Sequence, residues 1–232
     1  MLKHLQCTDR KREAGFTLVE LAVVMIIIGL LIGGVLKGQE LIANAQVAAT
    51  VAQVKAFDAA TTTFRDMFDG MPGDMATPAT RLPNCVGAAV GQCAFVGNGN
   101  RRVDGATPTT AFGAVPTGEM AAFWLKLNAA DLISGIDPGR GAVFGGWFPT
   151  AKIGGGFTSG YHAGNALLTA QSGGVAGNVR AGHYLALYNT ANTAVTVAGF
   201  ITPNQAFRID SKLDDGVPGS GSSVAISAAR HA

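Results

Sequence analysis

Near its start the chain reads Arg12-Glu-Ala-Gly-Phe-Thr-Leu-Val-Glu20, and an apolar run follows directly, Leu21-Ala-Val-Val-Met-Ile-Ile-Ile-Gly-Leu-Leu-Ile-Gly-Gly-Val-Leu36. Between Phe16 and Leu36 the only charged side chain is that of Glu20. Roughly 20 apolar residues are enough for a helix to cross a hydrocarbon core of about 30 Å. The sequence therefore predicts a membrane-spanning helix over residues 16–36, with a basic segment ahead of it.

Glu20 is the unusual residue of this span. A carboxylate at bilayer depth costs at least a few kcal/mol, so such residues generally have a partner and a function. Cleavage after Gly15 would give Phe16 a new α-amino group four residues before Glu20, on the same helical face or on a neighbouring copy. A cut between Gly15 and Phe16 would therefore create the partner that the Glu20 carboxylate lacks in the uncut sequence.

These residues resemble the class III signal of type IV pilins and type II secretion pseudopilins. The resemblance makes Gly15 the residue before the cut, Phe16 the N-methylated first residue of the mature chain, and Glu20 the assembly glutamate. It is specific over residues 10–40 and extends less specifically to about Phe68. Two further segments resemble an uncharacterised pilin-like subgroup, Glu119-Met-Ala-Ala-Phe-Trp124 and Phe207-Arg-Ile-Asp-Ser-Lys-Leu-Asp-Asp-Gly216.

One position departs from the family pattern. Many type IV pilins have a proline just after the apolar run, where this chain has Lys37. The helix kink associated with that proline is therefore not expected here, and Gly33, Gly34 and Gly38 are the residues that could supply flexibility instead.

The resemblance implies a structural subunit of a type IV pilus or a type II secretion pseudopilus, and not an enzyme. The implied partners are copies of itself or related pilins, a prepilin peptidase, an inner-membrane assembly platform, and membrane lipid before assembly. The expected organisation is a cytoplasmic leader removed by the peptidase, a transmembrane and assembly helix, an amphipathic continuation of it, and a periplasmic or extracellular globular domain, over residues 1–15, 16–36, 37–70 and 71–232.

The alternative function is a single-pass, membrane-tethered periplasmic binding or adhesive protein that does not polymerise. A standard secretory signal peptide fits poorly, because its apolar core is shorter and its cleavage site lies on the far side of that core. In either case Lys and Arg beside a span tend to stay cytoplasmic. We therefore expect a single pass through the inner membrane, with the amino terminus inside and the carboxyl-terminal domain in the periplasm.

Charge and motifs exclude several classes of function. The formal net charge of +2 resides in the leader, and the mature chain has 13 positive and 13 negative side chains. Without a basic patch, no nucleic-acid partner is expected. The four histidines are scattered, and the glycine pairs lack the setting of a phosphate loop or a catalytic serine. The sequence predicts neither catalytic residues nor an organic cofactor.

Beyond the span, apolar residues recur at steps of three and four, which predicts that the helix continues to about Phe68 and stops at Gly70 and Pro72. Such a helix of about 50 residues would be near 75 Å long. We expect its first half to be apolar on all faces and its second half to pack on the globular domain. The stripe consists of Val47, Val51, Val54, Phe57, Thr61, Phe64 and Phe68.

The rest of the chain predicts an α+β fold, in which the long helix packs on a small antiparallel sheet with long Gly-rich loops, over 73–116 and 134–182. A helix is expected at 117–130, with Met120, Phe123, Trp124 and Leu127 on its apolar face. Strands are expected at His183–Tyr188 and 194–201, joined by a turn at 189–193. Thr202-Pro203 predicts the start of a short helix to Leu213.

Two clusters of side chains have specific predicted chemistry. Cys85 and Cys93 enclose a Gly-rich segment and are expected to form a disulfide in an oxidising compartment, stabilising by about 2 to 3 kcal/mol at most. The alternatives are two reduced thiols and a metal site, and the metal site is disfavoured because no other Cys or His lies at ligand spacing. Asp210, Asp214 and Asp215 crowd the carboxyl end of the last helix, where the helix dipole disfavours negative charge.

Three interpretations of the aspartates stay open: a calcium ion, which some type II secretion major pseudopilins carry near the carboxyl terminus, ion pairs with Arg208 and Lys212, or a contact between subunits. Their spacing is not that of an EF-hand loop.

Overall fold

The computed structural model describes residues 15–85, 93, 95–104, 118–162, 181–189, 201–217 and 221–222. Their architecture is α+β, a long amino-terminal helix followed by shorter helices and a two-stranded antiparallel sheet. The elements are α1 (Leu18–Phe68), α2 (Pro78–Arg81), α3 (Glu119–Ala129), a 3-10 turn (Pro138–Arg140), β1 (Gly156–His162), β2 (Gly182–Tyr188) and α4 (Pro203–Leu213).

Helix α1 contributes to two compact units, one ending at Asn44 and the other beginning at Ala45. Its apolar part has a mean hydropathy of 2.7 and none of it is buried, so it is long and apolar enough to cross a membrane. The helix is uninterrupted through Gly33, Gly34 and Gly38. Just beyond the apolar run, the exposed Lys37 ammonium lies 2.7 Å from the Glu40 carboxylate.

From Val47 onward α1 is part of the globular core, as the stripe predicts. Val47, Val51, Phe57 and Phe64 are buried, and the other apolar members of the stripe pack partly buried against them. The Phe57 ring centre lies 4.9 Å from that of Trp124 on α3 and 5.3 Å from that of Phe157 on β1. One aromatic side chain thus connects three elements of the domain.

Helix α3 lies at the centre of this core. It begins and ends within one or two residues of the predicted helix, and every residue except Asn128 is buried. The predicted apolar face is therefore correct but incomplete, because the opposite side is covered as well. That side includes the charged residues Glu119 and Lys126.

Strand β2 is the predicted strand 183–188, extended by one residue. Its partner is β1, paired antiparallel from Gly156 opposite Tyr188 to His162 opposite Gly182. The assignment of residues 156–162 to a surface loop was wrong, because this segment is a strand whose Phe157, Thr158 and Ser159 are buried. Most of the predicted turn and of the strand at 194–201 lies outside the described residues.

Helix α4 spans the predicted residues, and its start is stabilised as Thr202-Pro203 suggests. The Thr202 hydroxyl accepts a hydrogen bond from the Gln205 amide, and the Gln205 side chain accepts one from the Thr202 amide. This reciprocal capping box satisfies two backbone donors that the helix itself cannot pair.

Candidate functional site

The first turn of α1 is also closed by a capping box. Gly15, Phe16 and Thr17 are not helical, and the helix begins at Leu18. The Glu20 Oε2 atom accepts hydrogen bonds from the Thr17 backbone amide and from the Thr17 hydroxyl, both at 2.9 Å. In return the Thr17 hydroxyl accepts the Glu20 amide at 3.2 Å.

Glu20 therefore has hydrogen-bond partners in its own chain, the amide and the hydroxyl of Thr17, in addition to the cation partner expected from the sequence. The signal was present in the sequence, since a Thr followed three residues later by a Glu at the start of an apolar run is the pattern of a capping box. Phe16, next to the predicted cleavage point, is 82% exposed.

The two cysteines of the globular domain lie at the distance of a disulfide. Their Cα atoms are 5.6 Å apart, within the usual range for such a bond. Cys93 is buried, and Cys85 packs against the core. The pair thus links the segment that follows α2 to a buried residue shortly before Gly97.

The three aspartates at the end of α4 come together. One carboxylate oxygen from each of Asp210, Asp214 and Asp215 lies within 4.8 Å of the others, with Asp210 buried and the other two exposed. Ligand atoms about 2.4 Å from a calcium ion can be at most about 4.8 Å apart, so this donor set fits a hard cation. Asp215 also accepts the Val217 amide at 2.8 Å, and Asp214 accepts the Ser222 amide.

A second group of carboxylates, those of Asp74 and Glu119, accepts hydrogen bonds from the backbone of a surface loop. The loop runs from Gly97 to Asp104, and Asp74 and Glu119 beneath it are both buried. Asp74 accepts the amides of Gly99, at 2.6 Å, and of Arg101. Glu119 accepts the amides of Asn98 and Asp104, at 2.9 and 2.8 Å.

All eight backbone N–H groups of this 97–104 loop have an acceptor, because a distant histidine, a backbone carbonyl and two asparagine side chains of the loop itself accept the remaining four. The Val103 amide donates to His183 Nε2 at 3.2 Å. Burial, and next the nearby Arg65 guanidinium, lower the pKa of His183, which favours the neutral imidazole that can accept this bond. The remaining acceptors are Met75 O, Asn98 Oδ1 and Asn100 Oδ1.

Lys126 lies fully buried on the inner side of the same network. Its ammonium donates to the Gly73 carbonyl at 2.6 Å and to the Met75 carbonyl at 3.1 Å. Burial lowers the pKa of Lys126 to about 8, against the opposing attraction of Glu119 and Asp74. Desolvation likewise raises the pKa of Glu119. None of this network was predicted from the sequence.

The lowered pKa of Lys126 predicts how stability changes with pH. Between pH 8 and 10 the unfolded chain, with an ordinary lysine pKa near 10.4, binds more protons than the folded chain, so stability rises with pH. We expect unfolding of the full chain in detergent micelles to cost about 1 to 2 kcal/mol more at pH 9.5 than at pH 7.5.

In Lys126→Met the same increase should vanish, and urea titrations at the two pH values measure it. An increase of equal size in the variant would assign the effect to another group. Above pH 10 the trend should reverse, because burial raises the pKa of Tyr188 and ionisation then favours the unfolded chain.

Comparison with known proteins bears on the amino-terminal site. Residues 10–36 match the family described as "Prokaryotic N-terminal methylation motif". The match contains Gly15, Phe16, Thr17 and Glu20, and it supports a prepilin signal of the type IV pilin and pseudopilin kind. No curated protein and no solved structure matches the chain.

Proposed function

We propose that this chain is a structural subunit of a type IV pilus or a type II secretion pseudopilus. In this proposal a prepilin peptidase cuts after Gly15, Phe16 is N-methylated, and the subunit polymerises through residues 16–68. The observation that carries the proposal is the methylation motif at residues 10–36, located at the start of a long helix whose apolar part is not buried in the chain itself.

The physical basis of assembly is that the apolar helix exchanges contacts with lipid for contacts with helices of other subunits. A helix that is apolar on every face is stable in lipid, and outside lipid the same surface needs equivalent helices from other copies. At Gly29 and Gly33 an added Cβ atom would meet nothing within 4 Å. Such a small-xxx-small pair allows two helices to approach closely.

Glu20 provides the register in this proposal. A carboxylate buried between packed helices requires a partner, and the Phe16 amine of a neighbouring subunit would supply the opposite charge. Removal of the carboxylate should therefore impair assembly more than folding.

The proposed location follows from the same signal. The leader, residues 1–15, stays cytoplasmic, residues 16–36 cross the inner membrane, residues 37–70 continue the helix, and residues 71–232 form the periplasmic or extracellular domain. The inner-membrane assembly platform and related pilins are the proposed partners, and the assembled filament is periplasmic or on the cell surface.

The amino-terminal mass of the purified chain tests the proposal. A start at N-methylated Phe16 supports it, and an intact leader on a chain that never oligomerises supports the membrane tether instead. Glu20→Ala adds a second test, because a tether should tolerate the change, whereas a polymerising subunit should be cut normally and fail to assemble. Glu40→Ala is the matched control, since it removes a carboxylate from the same helix beyond the apolar run.

Calcium at the α4 aspartates is a separate prediction. If the three carboxylates bind it, a calcium concentration ten times the dissociation constant should stabilise the chain by about 1.4 kcal/mol. Thermal unfolding with and without calcium measures the shift, and Asp214→Asn/Asp215→Asn should abolish it. An unchanged melting temperature, or an equal shift in the double variant and in the unaltered chain, would leave ion pairs or a subunit contact as the explanation.

A further inference from the structure

We propose that Thr17 is a positioning residue that holds one oxygen of the Glu20 carboxylate and leaves the other for a neighbouring chain. The polymerising role of Glu20 belongs to the proposed function above, and the assembly half of this inference rests on it. The other half of the inference, the hydrogen bonds between Thr17 and Glu20, concerns a single chain and can be tested without assembly.

The two oxygens of the Glu20 carboxylate have different hydrogen-bond partners. Both hydrogen bonds from Thr17, one from its amide and one from its hydroxyl, reach Oε2. Within the described residues, Oε1 accepts no hydrogen bond. An ionised carboxylate offers about four lone-pair sites, so a second donor can bind Oε1 without displacing Thr17.

In a membrane, the hydrogen bonds between Thr17 and Glu20 should stabilise the helix start more than the same bonds would at a helix end in water. The first N–H groups of any helix lack partners within the helix. In a hydrocarbon environment water is absent, and an unpaired backbone group costs several kcal/mol. The hydroxyl of Thr17 and the carboxylate of Glu20 each take up one such donor in this first turn.

Thr17 also determines where the carboxylate points. Without it, the Glu20 side chain has three rotatable bonds and many orientations. With it, the carboxylate is held at the positive end of the helix dipole, on the residue that directly follows Phe16. Another copy's amine would therefore meet an acceptor that is already oriented, and ordering it at the moment of assembly would cost less entropy.

Three substitutions separate the two roles. Thr17→Val keeps the side-chain shape and removes the hydroxyl, whereas Thr17→Ser keeps the hydroxyl. Glu20→Gln keeps an oxygen that can close the box, since Gln serves at this position as well, and it removes the charge. We expect Thr17→Val to lose the box, Thr17→Ser to keep it, and Glu20→Gln to keep the box but fail in assembly.

The box itself can be measured in the full chain in detergent micelles by NMR with ¹⁵N-labelled threonine. In the unaltered chain the Thr17 amide shift should follow the titration of the Glu20 carboxyl, and in Glu20→Gln it should not. Labelled valine in Thr17→Val should show a much smaller titration, and Thr17→Ser with labelled serine a normal one. The amides of Thr50 and Thr61, inside the helix, are internal controls. A Thr17 amide that does not titrate would overturn the proposal.

Assembly gives the second measurement, as filament yield per molecule of cleaved subunit. Loss of a helix-capping residue typically lowers the capped population about fivefold, and we expect a decrease of that order for Thr17→Val and near-normal yield for Thr17→Ser. Normal assembly of Thr17→Val, or equal failure of both variants, would refute the positioning role. If the unaltered chain is neither cut nor assembled, the proposed function fails, and the NMR result still decides whether the box exists.

Discussion

Phe57→Ala should lower the free energy of unfolding of the globular domain by about 3 to 5 kcal/mol, the usual cost of truncating a buried phenylalanine. The Phe57 ring packs edge-on against both Trp124 and Phe157, so its loss removes contacts among α1, α3 and β1 at once. Urea unfolding of the full chain in detergent micelles, followed by tryptophan fluorescence, measures the change.

Met67→Ala is the control for that experiment. Met67 lies on the same helix but is 62% exposed, so its truncation should change stability by less than about 0.5 kcal/mol. Equal losses of unfolding free energy in the two variants would contradict the packing of α1 on the domain, in which Phe57 is buried and Met67 is exposed.

Asp74→Ala should destabilise the domain by about 3 kcal/mol and release the 97–104 loop. The substitution removes the two hydrogen bonds that the amides of Gly99 and Arg101 donate to this buried carboxylate, and each hydrogen bond to a charged group contributes about 1.5 to 3 kcal/mol. Lys126 would lose part of its compensating negative charge as well. Hydrogen exchange of the loop amides, compared with those of α3, distinguishes local release from global unfolding.

Asp69→Ala provides a close comparison, because Asp69 contacts the same residue, Arg101, in a different way. Its carboxylate lies 3.6 Å from the Arg101 guanidinium, and both side chains are largely exposed. Exposed pairs contribute about 0 to 1 kcal/mol. Loop exchange that accelerates as much in Asp69→Ala as in Asp74→Ala would contradict a loop held through its backbone.

Helices could be predicted from this sequence because their signals are local. The stripe from Val47 to Phe68 repeats at the helical period, and α1 ends where Gly70 and Pro72 interrupt it. The start of α4 was predicted from Thr202-Pro203, two residues whose capping and backbone preferences act within one turn. The α+β class followed from these helices and from the strands predicted at 183–188 and 194–201.

Strand β1 could not be predicted in the same way. It contains Gly156 and Gly160, which weaken strand propensity, and its pairing partner begins twenty residues after it ends. At Gly156 a Cβ atom would collide with the Phe144 ring. The glycine that reads as a loop signal in the sequence is thus required by close packing in the folded domain.

The candidate sites differ in the same way: one has a local sequence signal, and the other depends on residues that are distant in the sequence. Gly15, Phe16 and Glu20 lie within six residues of one another and form a motif that is readable without any structure. The Asp74, Glu119 and Lys126 network joins residues 45 and 7 positions apart, and the helical period of the apolar residues does not show that the charged side of α3 is buried as well. A single lysine among Phe123, Trp124, Leu125 and Leu127 was the available signal.

The fully paired 97–104 loop has a consequence for proteolysis. Arg101 and Arg102 are exposed, and Arg101 has a positive φ of 64°. Trypsin-like enzymes bind their substrates as extended strands, and this backbone can become extended only by giving up its bonds to Asp74, Glu119 and His183. Although exposed, Arg101 and Arg102 should therefore be cut only slowly by such enzymes while the domain stays folded.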